Sequence, residues 1–318
     1  LPTAAFLVAV ALPWTTIRPA YQYPEPLAAV PVEAAFGPFS FRDGGGEIQL
    51  VGVEVAPEQS TEPGGDSPIE VVLYWKAVEP VSKDYLSAVN LLGRNNVSVG
   101  QVNRYPAMGM IPTSQWEPGQ IWRDVYHVYA NGDAEAPARL RILVALYDAE
   151  QEKDIPAVGP DGTATALLIV GEARLAVRET AEPEIAQPLE VPLADQITFL
   201  GYVLSPASPG AEEIATIDLY WRADGRPSQD YTVFIHLVDA AGNQIAGADG
   251  PPLNGDFPTG WWREGDVIQD SHLMQISAET APGEYTILIG LYDPQTGQRS
   301  PRLDGRGDVI QLPVTIGR

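Results

Sequence analysis

Val71-Val72-Leu73-Tyr74-Trp75 and Ile217-Asp218-Leu219-Tyr220-Trp221 are two versions of one stretch, 146 residues apart. The same offset of 146 relates Asp84-Tyr85 to Asp230-Tyr231. It also relates Pro112-Thr113, Trp116, Gly119 and Asp124 to Pro258-Thr259, Trp262, Gly265 and Asp270. Leu146-Tyr147-Asp148 matches Leu291-Tyr292-Asp293 at 145, and Gly52 matches Gly201 at 149, so small insertions fall in loops. A period this long is a duplicated domain, not a solenoid unit of about 20–50 residues.

Each copy reads as all-β. Ile69 to Trp75, Tyr85 to Leu92 and Leu140 to Tyr147 are short β-rich runs, repeated as Thr216 to Trp221, Tyr231 to Val238 and Tyr285 to Tyr292. Turn clusters such as Pro63-Gly64-Gly65-Asp66, Ala241-Gly242-Asn243 and Asp293-Pro294-Gln295-Thr296-Gly297 separate them. No window carries the period of a long amphipathic helix. The pattern predicts two tandem immunoglobulin-like or jelly-roll antiparallel β-sandwiches, at 36–180 and 193–318. Pro183, Pro188 and Pro192 give 181–192 the composition of a linker.

Charge narrows the function classes. The chain of 318 residues carries a formal net charge of −23. Residues 1–189 hold 24 acids and 12 bases, and residues 190–318 hold 18 and 7, so the excess is shared between the copies rather than gathered in one patch. Such a surface repels nucleic-acid phosphates and anionic membranes. With no Cys there is no disulfide scaffold, thiolate zinc site or Cys nucleophile.

The first 17 residues are uncharged, and Ala4 to Leu12 is continuously apolar. The run is shorter than the roughly 20 residues of a full membrane span. Three readings stay open: the end of a transmembrane helix with Trp14 and Arg18 at the interface, a signal-peptide remnant, or an element packed on the first domain. Pro19, Pro24, Pro26 and Pro31, with Tyr21 and Tyr23, then suggest an extended stalk, making 1–35 a membrane-proximal segment.

Among the repeated motifs, Trp75 and Trp221 end central strands and are expected in the cores. Trp116 and Trp262 are expected to fold a long connection over the sandwich end. Asp148 and Asp293 start turns, where a carboxylate accepts local N–H groups. Trp261 and Trp122 have no aromatic counterparts (Gln115 and Ile268 stand there), which marks them as candidate sugar-stacking residues, with Asp256 nearby as a candidate ligand. Asp249, Asp256, Asp266 and Asp270 leave calcium conceivable, although no EF-hand spacing occurs. The three histidines, His127, His236 and His272, lack metal-ligand spacing, and no Gly-x-Ser-x-Gly elbow is present.

The apolar run, the Pro-rich stalk after Ile17-Arg18-Pro19-Ala20-Tyr21, and the ordered motifs of the second copy resemble the C-terminal region of bacterial GT-C membrane glycosyltransferases. Those motifs are Leu219-Tyr220-Trp221, Asp230-Tyr231, His236-Leu237, Pro258-Thr259, Trp262, Gly265, Asp270 and Leu291-Tyr292-Asp293. The enzymes are polyprenyl-phosphate-sugar-dependent, related to protein mannosyltransferases, and of Chloroflexota type. The first copy departs from the pattern, with Asn90 in place of His236. The resemblance implies an extracytoplasmic, membrane-anchored or cell-surface β-sandwich appendage with its catalytic acid in a membrane part outside this chain, so no catalytic residue carries over. The expected role is a non-catalytic accessory region that positions a glycan or protein acceptor, without a cofactor. A tandem carbohydrate-binding module and a self-assembling surface protein are the alternatives.

Overall fold

The computed structural model describes residues 24–177 and 185–317. The apolar N-terminal run, Trp14, Arg18, Pro19, Tyr21, Tyr23, residues 178–180 at the end of the first expected sandwich and residues 181–184 of the expected linker lie outside the described residues. Among the described residues the only helical elements are short 3-10 turns, and no helix is long and apolar enough to cross a membrane. The chain divides into two compact units, the second of which includes Arg174 onward.

The first sandwich is built from β1 (Ala35–Arg42), β2 (Glu47–Glu54), β3 (Ser60–Thr61), β4 (Ile69–Ala77), β5 (Tyr85–Leu92) and β6 (Ser98–Arg104). It continues with β7 (Ile121–Val128), β8 (Ala138–Asp148), β9 (Lys153–Ile155), β10 (Ala157–Val158), β11 (Ala164–Thr165) and β12 (Leu168–Leu175). One sheet has the order β11-β10-β1-β2-β4-β7; the other is β3-β12-β8-β5-β6, with β9 on β8.

The second sandwich repeats the plan without the extra hairpins. Its strands are β13 (Gln187–Leu193), β14 (Ile197–Ser205), β15 (Ile214–Ala223), β16 (Thr232–Val238), β17 (Gln244–Gly247), β18 (Val267–Gln275), β19 (Gly283–Tyr292) and β20 (Ile310–Ile316). The sheets are β13-β14-β15-β18 and β17-β16-β19-β20, and the neighbours pair antiparallel. Three consecutive strands share the first sheet, and the chain then crosses at β15–β16, β17–β18 and β18–β19. That is the immunoglobulin-like alternative, not the jelly roll.

Strict alternation drives both cores. Along β18 every second residue from Ile268 to Met274 is buried, the signature of a strand with one face inward. Trp75 and Trp221 are fully buried; Trp75 meets Phe41 edge-on at 5.7 Å and Trp221 meets Phe199 at 5.0 Å. Their indole Nε1 atoms have no hydrogen-bond partner. Each unpaired donor costs about 1–3 kcal/mol, offset by the large aromatic area removed from water.

The structure corrects two boundaries. The second half of the expected stalk is part of the first sandwich: the Leu27 N–H donates to the Ile121 carbonyl at 2.7 Å. Leu27, Val30 and Ala34 then pack with Val72 and Tyr74 on the outer side of β4. The expected linker at 181–192 also gives up its last six residues to β13. Pro188 and Pro192 sit opposite Gly201 and Thr198, tolerated because β13 is an edge strand and proline there leaves no central ladder bond unmade.

These incoming segments explain the repeated glycine. A Cβ at Gly52 would lie 2.6 Å from Val30 Cγ1 and 2.9 Å from the Ala34 carbonyl oxygen. At Gly201 it would lie 2.2 Å from the Gln187 carbonyl oxygen and 2.7 Å from Ile185 Cγ2, on a backbone with φ of +141°. In both copies the strand paired with this glycine, and the residues leading into it, come close at an irregular point of the pairing, at a distance that excludes any side chain.

Gly201→Ala is therefore expected to destabilise the second sandwich by about 1–3 kcal/mol, and Trp221→Ala by about 3–5 kcal/mol. Urea unfolding of the full chain, followed by tryptophan fluorescence, checks both. A Trp221→Ala protein of unchanged midpoint would contradict the core assignment.

Candidate functional site

The repeated motifs converge on one place in each sandwich: the long connection that closes its end, β6 to β7 in the first copy and β17 to β18 in the second. We call it the strap. Three contacts latch it, and each occurs twice.

The first latch is a buried threonine. The Thr113 hydroxyl donates to the Lys83 carbonyl at 2.6 Å and accepts the Tyr85 N–H at 3.0 Å. The Thr259 hydroxyl donates to the Gln229 carbonyl at 2.7 Å and accepts the Tyr231 N–H at 2.9 Å. The second latch is the acid of the Asp-Tyr pair: Asp84 accepts the Ser114 N–H at 3.0 Å and Asp230 accepts the Gly260 N–H at 2.8 Å. The third is the tryptophan. Trp116 Nε1 donates to the Ile111 carbonyl at 3.2 Å, and Trp262 Nε1 donates to the Phe257 carbonyl at 3.0 Å. Both indoles are buried, so the tryptophans fold the strap back onto the sandwich end.

A fourth contact pins the start of each strap. Asp124 on β7 and Asp270 on β18 point inward and are fully buried. Asp124 accepts the Met108 N–H at 3.1 Å, and Asp270 accepts the Leu253 N–H at 2.8 Å. Met108 and Leu253 both have left-handed backbones, at φ of 55° and 50°, a conformation that costs a non-glycine residue about 1–3 kcal/mol and persists where its surroundings enforce it.

The partners of the two acids then diverge. Asp124 takes Arg104 at 2.7 Å and the Tyr126 hydroxyl at 2.6 Å, and the Arg104 guanidinium lies over the Tyr126 ring at 4.3 Å. Burial raises the Asp124 pKa, opposed by Arg104, Tyr126 and the Met108 N–H. Burial and Asp124 together push the Tyr126 phenol upward. Asp270 instead meets His272 Nε2 at 2.8 Å, while His272 Nδ1 meets the Ala248 carbonyl oxygen at 3.0 Å.

A second polar cluster lies in the first sandwich. Lys83 Nζ sits 2.8 Å from Asp43 and 2.7 Å from Asp148, and the Tyr85 hydroxyl donates to Asp43. Burial pushes the Asp43 carboxyl up, but hydrogen bonds from Lys83, Tyr85 and the Gly45 N–H outweigh it and hold the pKa down at about 2. The hydrogen bond from Lys83 lowers Asp148, and those to Asp148 and Asp43 raise Lys83. The trio is thus held as an ammonium between two carboxylates. Gln229 stands at the lysine's position in the second copy. There Asp293 relies on the Gln295 N–H and the Thr296 hydroxyl, both at 2.8 Å. Asp195 takes the Ser228 N–H at 2.8 Å and hydroxyl at 2.9 Å.

The candidate ligand residues separate. Trp122 is 4% exposed and stacks on Trp116 at 5.8 Å. Its register opposite Trp75 puts it on the inward face of β7, so it is not a surface platform. Trp261 is half-buried at the end of the Thr259–Trp261 turn, with one side packed against the second core. Asp256 is half-buried and ends the preceding turn, its N–H donating to the Leu253 carbonyl at 3.0 Å. The acids considered for calcium do not converge. Asp249 serves the Ile235 N–H and His236, Asp266 serves the Arg263 N–H, and Asp270 serves the strap. Among the described residues no group of three or more His, Asp or Glu is arranged to hold a metal ion. The pins at Asp124 and Asp270 had a readable signal, an acid on the inward phase of an alternating strand. The Lys83 trio had none, since its members are 40 and 65 residues apart.

No protein-family model matches the chain, and no curated protein matches it. Among solved structures, red sea bream transglutaminase matches at 11% identity with a TM-score of 0.24, over 87% of this chain and 32% of that one. A glycosyl hydrolase family 2 member from Bacteroides cellulosilyticus DSM 14838 matches at 9% identity with a TM-score of 0.26, over 80% and 29%. The chain spans about a third of the length of these proteins, and likenesses of this size bear on neither activity nor ligand.

Thr259→Val removes the hydroxyl at constant volume and leaves a buried N–H and carbonyl unpaired, so it is expected to cost about 1–3 kcal/mol, read by urea unfolding. The Asp43 contribution to stability is present above that group's ordinary pKa of 3.8 and is lost as pH falls toward about 2. Lys83→Met should therefore shift the acid-unfolding midpoint of the first sandwich to higher pH, measured by circular dichroism. An unchanged acid limb would show that the trio adds nothing.

Proposed function

We propose that this chain is a non-catalytic, extracytoplasmic accessory region of a membrane glycosyltransferase, in which tandem sandwiches position a glycan or protein acceptor. One observation carries the reading. Leu27 to Ala34 are fastened to the first sandwich, so only about ten residues separate it from the uncharged run ending at Thr16-Ile17. Ten residues reach at most about 35 Å, which would hold a rigid sandwich close to a membrane in which that run is embedded. The polar clusters also support a scaffold, because their carboxylates, hydroxyls and lysine are spent on each other and on backbone groups.

Sequencing the coding region upstream of Leu1 tests the reading. A series of hydrophobic spans is expected. A start codon followed by a basic, signal-like leader would overturn it.

The half-buried Trp261 favours a second reading, a carbohydrate-binding module. Its ring packs against the second core and is only partly buried, and an aromatic so placed suits stacking on sugar C–H surfaces. Glycan-array binding that falls at least tenfold in Trp261→Ala with unchanged unfolding is its expected outcome. Equal binding by the two proteins would remove it.

A further inference from the structure

We propose that the strap of the second sandwich is a proton-dependent clamp: His272 and Asp270 share one proton beyond that of a neutral imidazole, and its loss as pH rises releases the strap at Ala248. The inference is independent of the accessory reading.

A carbonyl oxygen only accepts, so the 3.0 Å contact to Ala248 takes the Nδ1–H of His272. That is the single N–H of a neutral ring. The 2.8 Å contact between Nε2 and Asp270 Oδ2 then needs a second proton, on the ring or on the carboxyl, because an unprotonated nitrogen facing a carboxylate is repulsive. The other oxygen, Oδ1, is already engaged by the Leu253 N–H at 2.8 Å. Losing the proton must therefore break one of the two His272 contacts, and the remaining N–H stays with the carboxylate, the stronger acceptor, so the contact to Ala248 is the one lost. With Asp270 fully buried and His272 8% exposed, little water is at hand to replace the lost partner.

The contact to Ala248 crosses the sandwich, while the one to Asp270 stays within β18. His272 lies on β18 in one sheet. Ala248 lies just beyond β17, and its N–H donates to Ile235 on β16 in the other. Together with the Leu253 pin, they staple Ala248 to Leu253 at both ends. The titratable groups on the elements packed here are Asp270 on β18, Asp249 and Asp256 on the strap, and His236 on β16. His236 needs no extra proton. Its Nε2 contact to Asp249, at 3.1 Å, is met by one N–H, so it acts as an internal control.

The first copy has the same pin without the switch. Position 126 is tyrosine and position 90 is asparagine, and Asp124 is held by Arg104 and Tyr126, which keep their protons across the physiological range. Its strap should be indifferent to pH.

The test is hydrogen-exchange mass spectrometry on the full chain between pH 5 and 9, each rate normalised to unstructured-peptide exchange at that pH. Peptides covering Ala248 to Asp256 should lose protection about tenfold or more on going to high pH, the effect of one lost charge-assisted hydrogen bond. Peptides covering Tyr105 to Ile111 should not change. His272→Gln should exchange fast at both ends of the range, and His236→Asn should keep the wild-type dependence. Equal protection at both pH values, an equal change in both straps, or loss of the dependence in His236→Asn would each overturn the proposal. If His272→Gln fails to fold, the wild-type comparison between straps still decides it.

Discussion

The fold depends on closing the open end of each sandwich with a connection too long to order itself. Between β6 and β7, and again between β17 and β18, the chain leaves one sheet and enters the other across 16 to 19 residues. Such a segment carries a large conformational entropy and brings backbone donors over an apolar core. The threonine hydroxyl of each strap answers both demands. It gives a proton to one strand-end carbonyl and takes one from the next N–H but one, stitching the strap to the strand that begins beneath it. The Asp-Tyr pair and the tryptophan indole continue the same stitching on either side. This is why these residue types recur in order and in phase: each contact needs the geometry that its neighbours supply.

The fold class was legible in the sequence because strand alternation and turn chemistry are local, and the duplication displayed them twice. Placement of Trp75 and Trp221 followed from the same alternation. Trp122 shows the limit of reading one copy against the other. The absence of an aromatic at position 268 suggested exposure, yet Ile268 and Trp122 are both inward, and the two cores fill that space with different shapes. Proline was misleading for a related reason. Pro188 and Pro192 look like a linker until the sheet order shows that they occupy an edge. The polar cluster of Lys83, Asp43 and Asp148 could not be read at all, since its members meet only through the hairpin between β1 and β2 and the ends of β5 and β8.

The two copies solve identical problems with different chemistry. Where the first uses arginine and tyrosine to neutralise a buried carboxylate, the second uses histidine. Where the first bridges two acids with a lysine, the second gives each acid its own hydroxyl and backbone donors. A duplicated domain tolerates such drift because the contact, not the residue, is what the strap requires. Permanently charged or strongly protonated partners make one copy insensitive to its surroundings. Histidine leaves the other responsive to them.

The lead segment on β4 has a consequence for the solubility of the isolated parts. Leu27, Val30 and Ala34 cover Val72, with Val125 beside them. The positions that match Val72 and Val125 are Asp218 and Ser271, and the serine donates to the aspartate. One copy has therefore become reliant on a hydrophobic lid from its own N-terminal side, while the other has made the same surface wettable. A fragment beginning at Ala35 would bare a sticky sheet face and tend to associate. The second sandwich lacks that particular liability, which makes it the more tractable half to study alone.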